Sequence, residues 1–168
     1  LNVMLPLGNG FGVDDASGEV LLVGGGVGVA PMLYLGKVLK DRGLNPIFLL
    51  GARSAKDLLQ LEQFEKYGRL YLTTEDGTAG EKGFVTDHSI LSEVHFDKIF
   101  CCGPKPMMVA VAKYAKSAGI SCEVSLENMM ACGIGACLCC VEKNADGNNV
   151  CVCTEGPVFN IDSLSWQI

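Results

Sequence analysis

Four cysteines force a closed loop on this chain. Cys132 is followed by four residues and Cys137, then by two residues and Cys140, and after twelve more by Cys153. This is the plant-type spacing of [2Fe–2S] ligands. Soft thiolates match an iron–sulfur core. Gly133 and Gly135 allow positive φ and let backbone N–H groups approach the sulfur atoms, while Ala136 leaves room. Such a cluster moves one electron at a time.

A structural zinc site is the rival reading. Zinc motifs commonly pair cysteines as two C-x2-C units. Cys137 and Cys140 form one such unit, but Cys132 and the glycines have no role in it. Cys139 and Cys151 lie in the same segment. In an extended strand Cys151 and Cys153 share a face, so alternation leaves the fourth ligand open between them.

Charge narrows the partners. The formal net charge is -6 and the isoelectric point about 4.8, which argues against nucleic acid or an anionic membrane. No apolar run reaches the roughly 20 residues of a membrane span. Nine cysteines could form disulfides in a small secreted chain. No secretory signal is read here, and five of the nine crowd into residues 132–151. A reducing, cytoplasmic setting is therefore expected.

The pattern before residue 126 alternates. Glu19-Val20-Leu21-Leu22-Val23 is a buried strand running into glycines. Met32, Leu35, Val38 and Leu39 mark a helix over 31–42, stopped by Gly43. Strands are predicted at 47–50, 70–73, 98–102 and 120–126. Helices are predicted at 56–67 (Leu58, Leu59, Leu61, Phe64 and Tyr67 inward), from Thr86 to about 93, and from the Gly103–Pro106 turn to Gly119. This alternation implies an α/β fold with a parallel sheet covered on both faces. After Leu126 no helical period remains, and the turn Asn144–Asn149 predicts a hairpin between Val141 and Val150–Val152. Residues 13–125 are expected to form a nucleotide-binding domain and 126–168 a small cluster module.

Gly24-Gly25-Gly26-Val27-Gly28-Val29-Ala30-Pro31 joins a strand to a helix. Glycines there let the backbone approach a pyrophosphate at the positive end of the helix. A plain tight β–α turn competes with that reading. Cys102-Gly103-Pro104-Lys105-Pro106-Met107 is a second strand-to-helix turn, and in a parallel sheet both lie at the carboxyl ends of strands. Glu75 and Asp76 end the third predicted strand. Carboxylates there accept bonds from a ribose hydroxyl and repel a 2′-phosphate, which favours NAD over NADP; the bland alternative is a solvated turn. Arg53 either reaches adenine or phosphate or is a surface charge. His88 and His95 have no catalytic context, and Cys101, Cys102 and Cys122 read as core fillers.

A nicotinamide gives up two electrons as a hydride, whereas the cluster accepts one. A flavin bridges the two. The stretches Leu7-Gly8-Asn9-Gly10-Phe11, Gly24–Pro31, Cys102–Met108, Met130–Cys137 and Glu155-Gly156-Pro157-Val158-Phe159 together resemble the electron-transfer subunit of dihydroorotate dehydrogenase B, in the ferredoxin-NADP reductase superfamily. The resemblance spans essentially the whole chain and implies several things. The fourth cluster ligand is Cys153, because it directly precedes the Gly-Pro-Val-Phe stretch. Cys102, Gly103 and Pro104 lie beside the nicotinamide. Residues 1–12 end an FAD-binding barrel otherwise missing here. Electrons from dihydroorotate would pass from FMN in a separate catalytic subunit, within a heterotetramer of pyrimidine biosynthesis, through the cluster and FAD to NAD⁺. A diaphorase-type subunit of a hydrogenase or of a ferredoxin:NADP oxidoreductase shares this layout.

Overall fold

Alternate residues of the first strand face two different cores. In β1 (Val20–Gly25), Leu21 and Val23 point to one side and Val20 and Leu22 to the other, and all four are buried. A strand apolar on both faces must lie between two layers. The computed structural model describes residues 7–166 and 168. The first half of the expected barrel remnant, residues 1–6, lies outside them.

After β1 come α1 (Val29–Asp41), β2 (Ile47–Ala52), α2 (Leu61–Glu65), β3 (Arg69–Thr74), β4 (Glu81–Lys82), α3 (Ile90–Glu93), β5 (Lys98–Cys102), α4 (Lys105–Ala118) and β6 (Ser121–Ser125). The C-terminal part adds β7 (Val141–Lys143), β8 (Asn149–Cys151), α5 (Val152–Glu155) and β9 (Val158–Asn160). The main sheet runs β4-β3-β2-β1-β5-β6-β9, and only the β6–β9 pairing is antiparallel. The expected α/β fold with a parallel sheet is what forms. β7 and β8 make the expected hairpin.

Connectivity reverses at β1, which has β2 on one side and β5 on the other. Helix α1 covers one face with Met32, Leu35 and Leu39. Helix α4 covers the opposite face with Met108, Val111, Ala112 and Ala115. The C-terminal part joins this second core through Cys140, Val152, Cys153, Ile161 and Leu164.

Two expectations need correction. The helix predicted at 56–67 is a single 3₁₀ turn, Ala55–Asp57, followed by an extended break and the short α2. The Ser54 hydroxyl donates to Asp57 and the Ala55 amide to Thr78 Oγ1, both at 2.8 Å. These local bonds compete with a helical ladder. Gln60 then turns into the left-handed region at φ 58, and Leu59, predicted inward, is exposed. Similarly, the segment after Thr86 breaks at His88, whose Nδ1 accepts the Ile90 amide at 3.0 Å.

Candidate functional site

The two glycine turns touch. A Cβ on Gly28 would collide with the Cys102 carbonyl, and one on Gly25 would meet the Met107 sulfur. Glycine at these two positions lets the two strand-to-helix turns pack this closely. Their carboxyl ends open into a cavity of about 730 Å³ at the point where connectivity reverses. A parallel sheet offers its ligand crevice at such a point.

Of the predicted nucleotide residues, Gly25, Gly26, Arg53, Glu75, Pro104 and Met107 line this cavity. Gly24, Gly28, Cys102 and Gly103 form the wall behind it rather than its surface. Val27 is exposed, and Pro31 lies in the first turn of α1. Asp76 turns aside: its carboxylate accepts from the Thr78 hydroxyl and amide, which lowers its pKa.

Several lining residues escape sequence reasoning. Gly51, the penultimate residue of β2, lies beside Thr73 of β3, and a Cβ there would press on Val85 at 2.7 Å. Thr73 is fully buried, and among the described residues its hydroxyl has no partner. Phe84 and Thr86 complete the rim, with Phe84 exposed. A glycine directly after the apolar run Ile47–Leu50 is the available signal for Gly51.

The cysteine loop sits on the α4 side of the sheet. Gly133 and Gly135 take φ values of 71° and 77°, as expected, and Leu138 is also left-handed at 59°. The four expected ligands form two pairs. The Cys137 amide donates to Cys132 Sγ at 3.4 Å, and the Cys137 thiol faces the same sulfur. The Cys153 amide donates to Cys140 Sγ at 3.4 Å, again with the two thiols in contact. The Gly135 amide donates to Cys153 Sγ at 3.3 Å and ties the pairs together. Among the described residues no three His, Cys, Asp or Glu side chains converge on one metal-ion position. A two-iron cluster needs two thiolates per iron, which this paired arrangement fits.

Amide donors prepare two of the thiols. Bonds from the Ile134 and Cys137 amides bring the pKa of Cys132 down to about 6. The Cys153 amide lowers that of Cys140. Ligating sulfur must be deprotonated, so these bonds favour cluster binding. The thiol contact with Cys140 and burial raise Cys153. Cys153 does not sit on a strand: β8 ends at Cys151, and Cys153 is the second residue of α5. Cys153 is therefore buried against Cys140, whereas Cys151 is half-buried with its thiol toward the Gly135 carbonyl at 3.8 Å. Burial lifts the thiols of Cys101 and Cys122, the latter to about 12, as befits core fillers.

A dinucleotide crevice and a loop of paired, amide-solvated thiols on one scaffold define an NAD-linked iron–sulfur oxidoreductase with a ferredoxin-NADP reductase-like fold. The chain belongs to the oxidoreductase NAD-binding domain family, which matches residues 22–113, and residues 127–165 match the iron–sulfur cluster binding domain of dihydroorotate dehydrogenase B. Among its relatives, the chain is 43% identical to the "dihydroorotate dehydrogenase B (NAD(+)), electron transfer subunit" of Bacillus velezensis, over 98% of this chain and 65% of that protein. It is 46% identical to the subunit of the same name from Clostridium acetobutylicum, over 92% of this chain and 60% of the other. The chain thus spans at most about two thirds of the length of these relatives. The structure of an NADH-dependent reduced ferredoxin-NADP oxidoreductase superposes with a TM-score of 0.86 at 37% identity, covering 99% of this chain and 60% of that one. The resemblance read from the sequence therefore holds.

Proposed function

We propose that this chain is the NAD-binding and [2Fe–2S] portion of a dihydroorotate dehydrogenase B electron-transfer subunit. The observation that carries the reading is the pairing of Cys132 with Cys137 and of Cys140 with Cys153 on the scaffold that holds the dinucleotide crevice. When bound, the cluster supplies one-electron transfer, the nicotinamide hydride transfer, and a flavin the exchange between them.

The chain's own residues then have defined tasks. Gly25 and Gly26 bring backbone to the pyrophosphate, and Glu75 receives the ribose hydroxyls. Arg53 offers a cation to adenine or phosphate. Cys102, Gly103 and Pro104 wall the nicotinamide end, with Met107 beneath. Cys132, Cys137, Cys140 and Cys153 hold the cluster. FAD is held mainly by residues outside 13–168. Residues 13–125 act as the NAD-binding domain and 126–168 as the cluster module.

Electrons from dihydroorotate enter through FMN in a partner catalytic subunit, in a cytoplasmic heterotetramer serving pyrimidine synthesis. Met129, Met130, Ile134 and Leu138 are exposed apolar side chains around the cysteine loop, which suits a protein partner there. Among the described residues no helix is long and apolar enough to cross a membrane. The likeness to the ferredoxin-NADP oxidoreductase structure supports a second reading, in which reduced ferredoxin is the electron source. The two separate in one assay of the natural complex. Dihydroorotate-driven NAD⁺ reduction is expected; activity with ferredoxin and none with dihydroorotate would reverse the choice.

A further inference from the structure

The turn that presents Cys153 is held from the opposite end of the chain. Asn9 donates its backbone N–H to the Gly156 carbonyl at 2.6 Å and its side-chain Nδ2 to the Glu155 carbonyl at 3.0 Å. Asn9 also forms a parallel bridge with Pro157. Next to it, Gly8 has φ 62, and a Cβ there would collide with the Gly156 carbonyl oxygen. The close approach is therefore built into the Gly8–Asn9 pair, and the Asn9–Glu155 bond spans 146 residues of sequence.

Helix α5 needs such support. It has four residues, too few to be stable alone. Its C-terminal end is closed by the Gly156 amide, which donates to the Val152 carbonyl at 3.1 Å. Glu155 also turns its carboxylate back to the Cys151 amide at 2.9 Å. On the far side, the Pro157 carbonyl accepts from Leu126 at 2.8 Å. The start of the helix is tied to the cysteine loop through the Val152 N–H, which donates to the Cys140 carbonyl at 3.3 Å, and Asn9 anchors the other end, directly on Glu155 and Gly156.

We infer that Asn9 is a positioning residue for the iron–sulfur site: by clamping Glu155 and Gly156 it fixes the turn that carries Cys153. Cys153 sits two positions before Glu155, so slack at the helix end moves its sulfur relative to Cys140. The inference rests on Cys153 being a ligand. It also makes the cluster module dependent on a segment preceding the nucleotide-binding domain.

The test uses the natural holoprotein, purified anaerobically, with Asn9→Ala and Asn9→Asp variants. Aspartate keeps the shape of asparagine but has no side-chain N–H to donate. Three quantities are read: the rate at which iron–sulfur absorbance decays with a chelator present, the EPR spectrum of the reduced protein, and NADH affinity. Both variants are expected to lose the cluster about three- to fivefold faster, the scale of one neutral hydrogen bond, with a shifted EPR spectrum and unchanged NADH binding. A wild-type decay rate and spectrum in either variant would overturn the inference. So would a parallel loss of NADH affinity, because the effect would then be general destabilisation. A wild-type protein holding no cluster would instead refute the ligand reading beneath it.

Discussion

The backbone N–H of Cys153 points at the sulfur of Cys140 across 3.4 Å, although the two residues are thirteen positions apart. That contact separates the two candidate fourth ligands. Cys151 ends β8 with its thiol turned toward a carbonyl, whereas Cys153 is buried against another cysteine. Cys153→Ser is expected to lose most of the bound iron, and Cys151→Ser to keep it. Iron content and visible absorbance after anaerobic purification check this, and equal loss in both variants would reject the assignment.

Glu75 lines the nucleotide cavity beside Arg53. A carboxylate there repels a 2′-phosphate. NADH is expected to bind more tightly than NADPH, and Glu75→Ala to narrow the ratio by about tenfold, equivalent to about 1.4 kcal/mol. Fluorescence titration with both nucleotides measures it. Tighter binding of NADPH by the wild type would contradict the role given to Glu75.

Lys98 is a buried cation at the start of β5. Its Nζ lies 2.5 Å from Asp15, 3.0 Å from Glu123 and 2.9 Å from the Gly12 carbonyl. Lys98→Met leaves Glu123 without its cation and should cost about 3 kcal/mol at neutral pH. Burial works to lower the pKa of Lys98, but the bonds to Asp15 and Glu123 prevail and hold it above 10.5. The Lys98 bond holds that of Asp15 below 3.8. A raised cation loses its contribution as pH rises through its folded value, and a lowered carboxylate as pH falls through its own. The stability gap between wild type and Lys98→Met should therefore be level from about pH 4 to 10. It should shrink only outside that range. Denaturant melts across pH test this, and a gap that collapses near pH 7 would contradict it.

Thr73 buries a hydroxyl with no partner among the described residues. Exchanging it for a methyl of the same shape removes an unmet polar group. Thr73→Val should melt at or slightly above the wild-type temperature in the absence of nucleotide. A fall of several degrees would mean that the hydroxyl is bonded after all.

Much of this is legible in the sequence. The strands were visible because residues apolar on both faces of a parallel sheet read as continuous runs, as in Val20–Val23 and Ile47–Leu50. The spacing of Cys132, Cys137 and Cys140 marked the loop because a cluster dictates the chain around it. The region around Leu58–Leu61 departs from its helical spacing because the Ser54 hydroxyl donates to Asp57 and Thr78 Oγ1 accepts from the Ala55 amide, 23 residues away. Gly51, Thr73 and Phe84 went unseen for a related reason. Three separate segments make that wall, and no local pattern joins them. Likewise, nothing near Asn9 indicates that it fastens Glu155.

The central claim is that the four paired cysteines hold a two-iron cluster beside a dinucleotide site. Iron, zinc and acid-labile sulfide analysis of the anaerobically purified holoprotein, with EPR after reduction, tests it most directly. Two irons, two sulfides and a rhombic signal per chain are predicted. Stoichiometric zinc with no labile sulfide would contradict it.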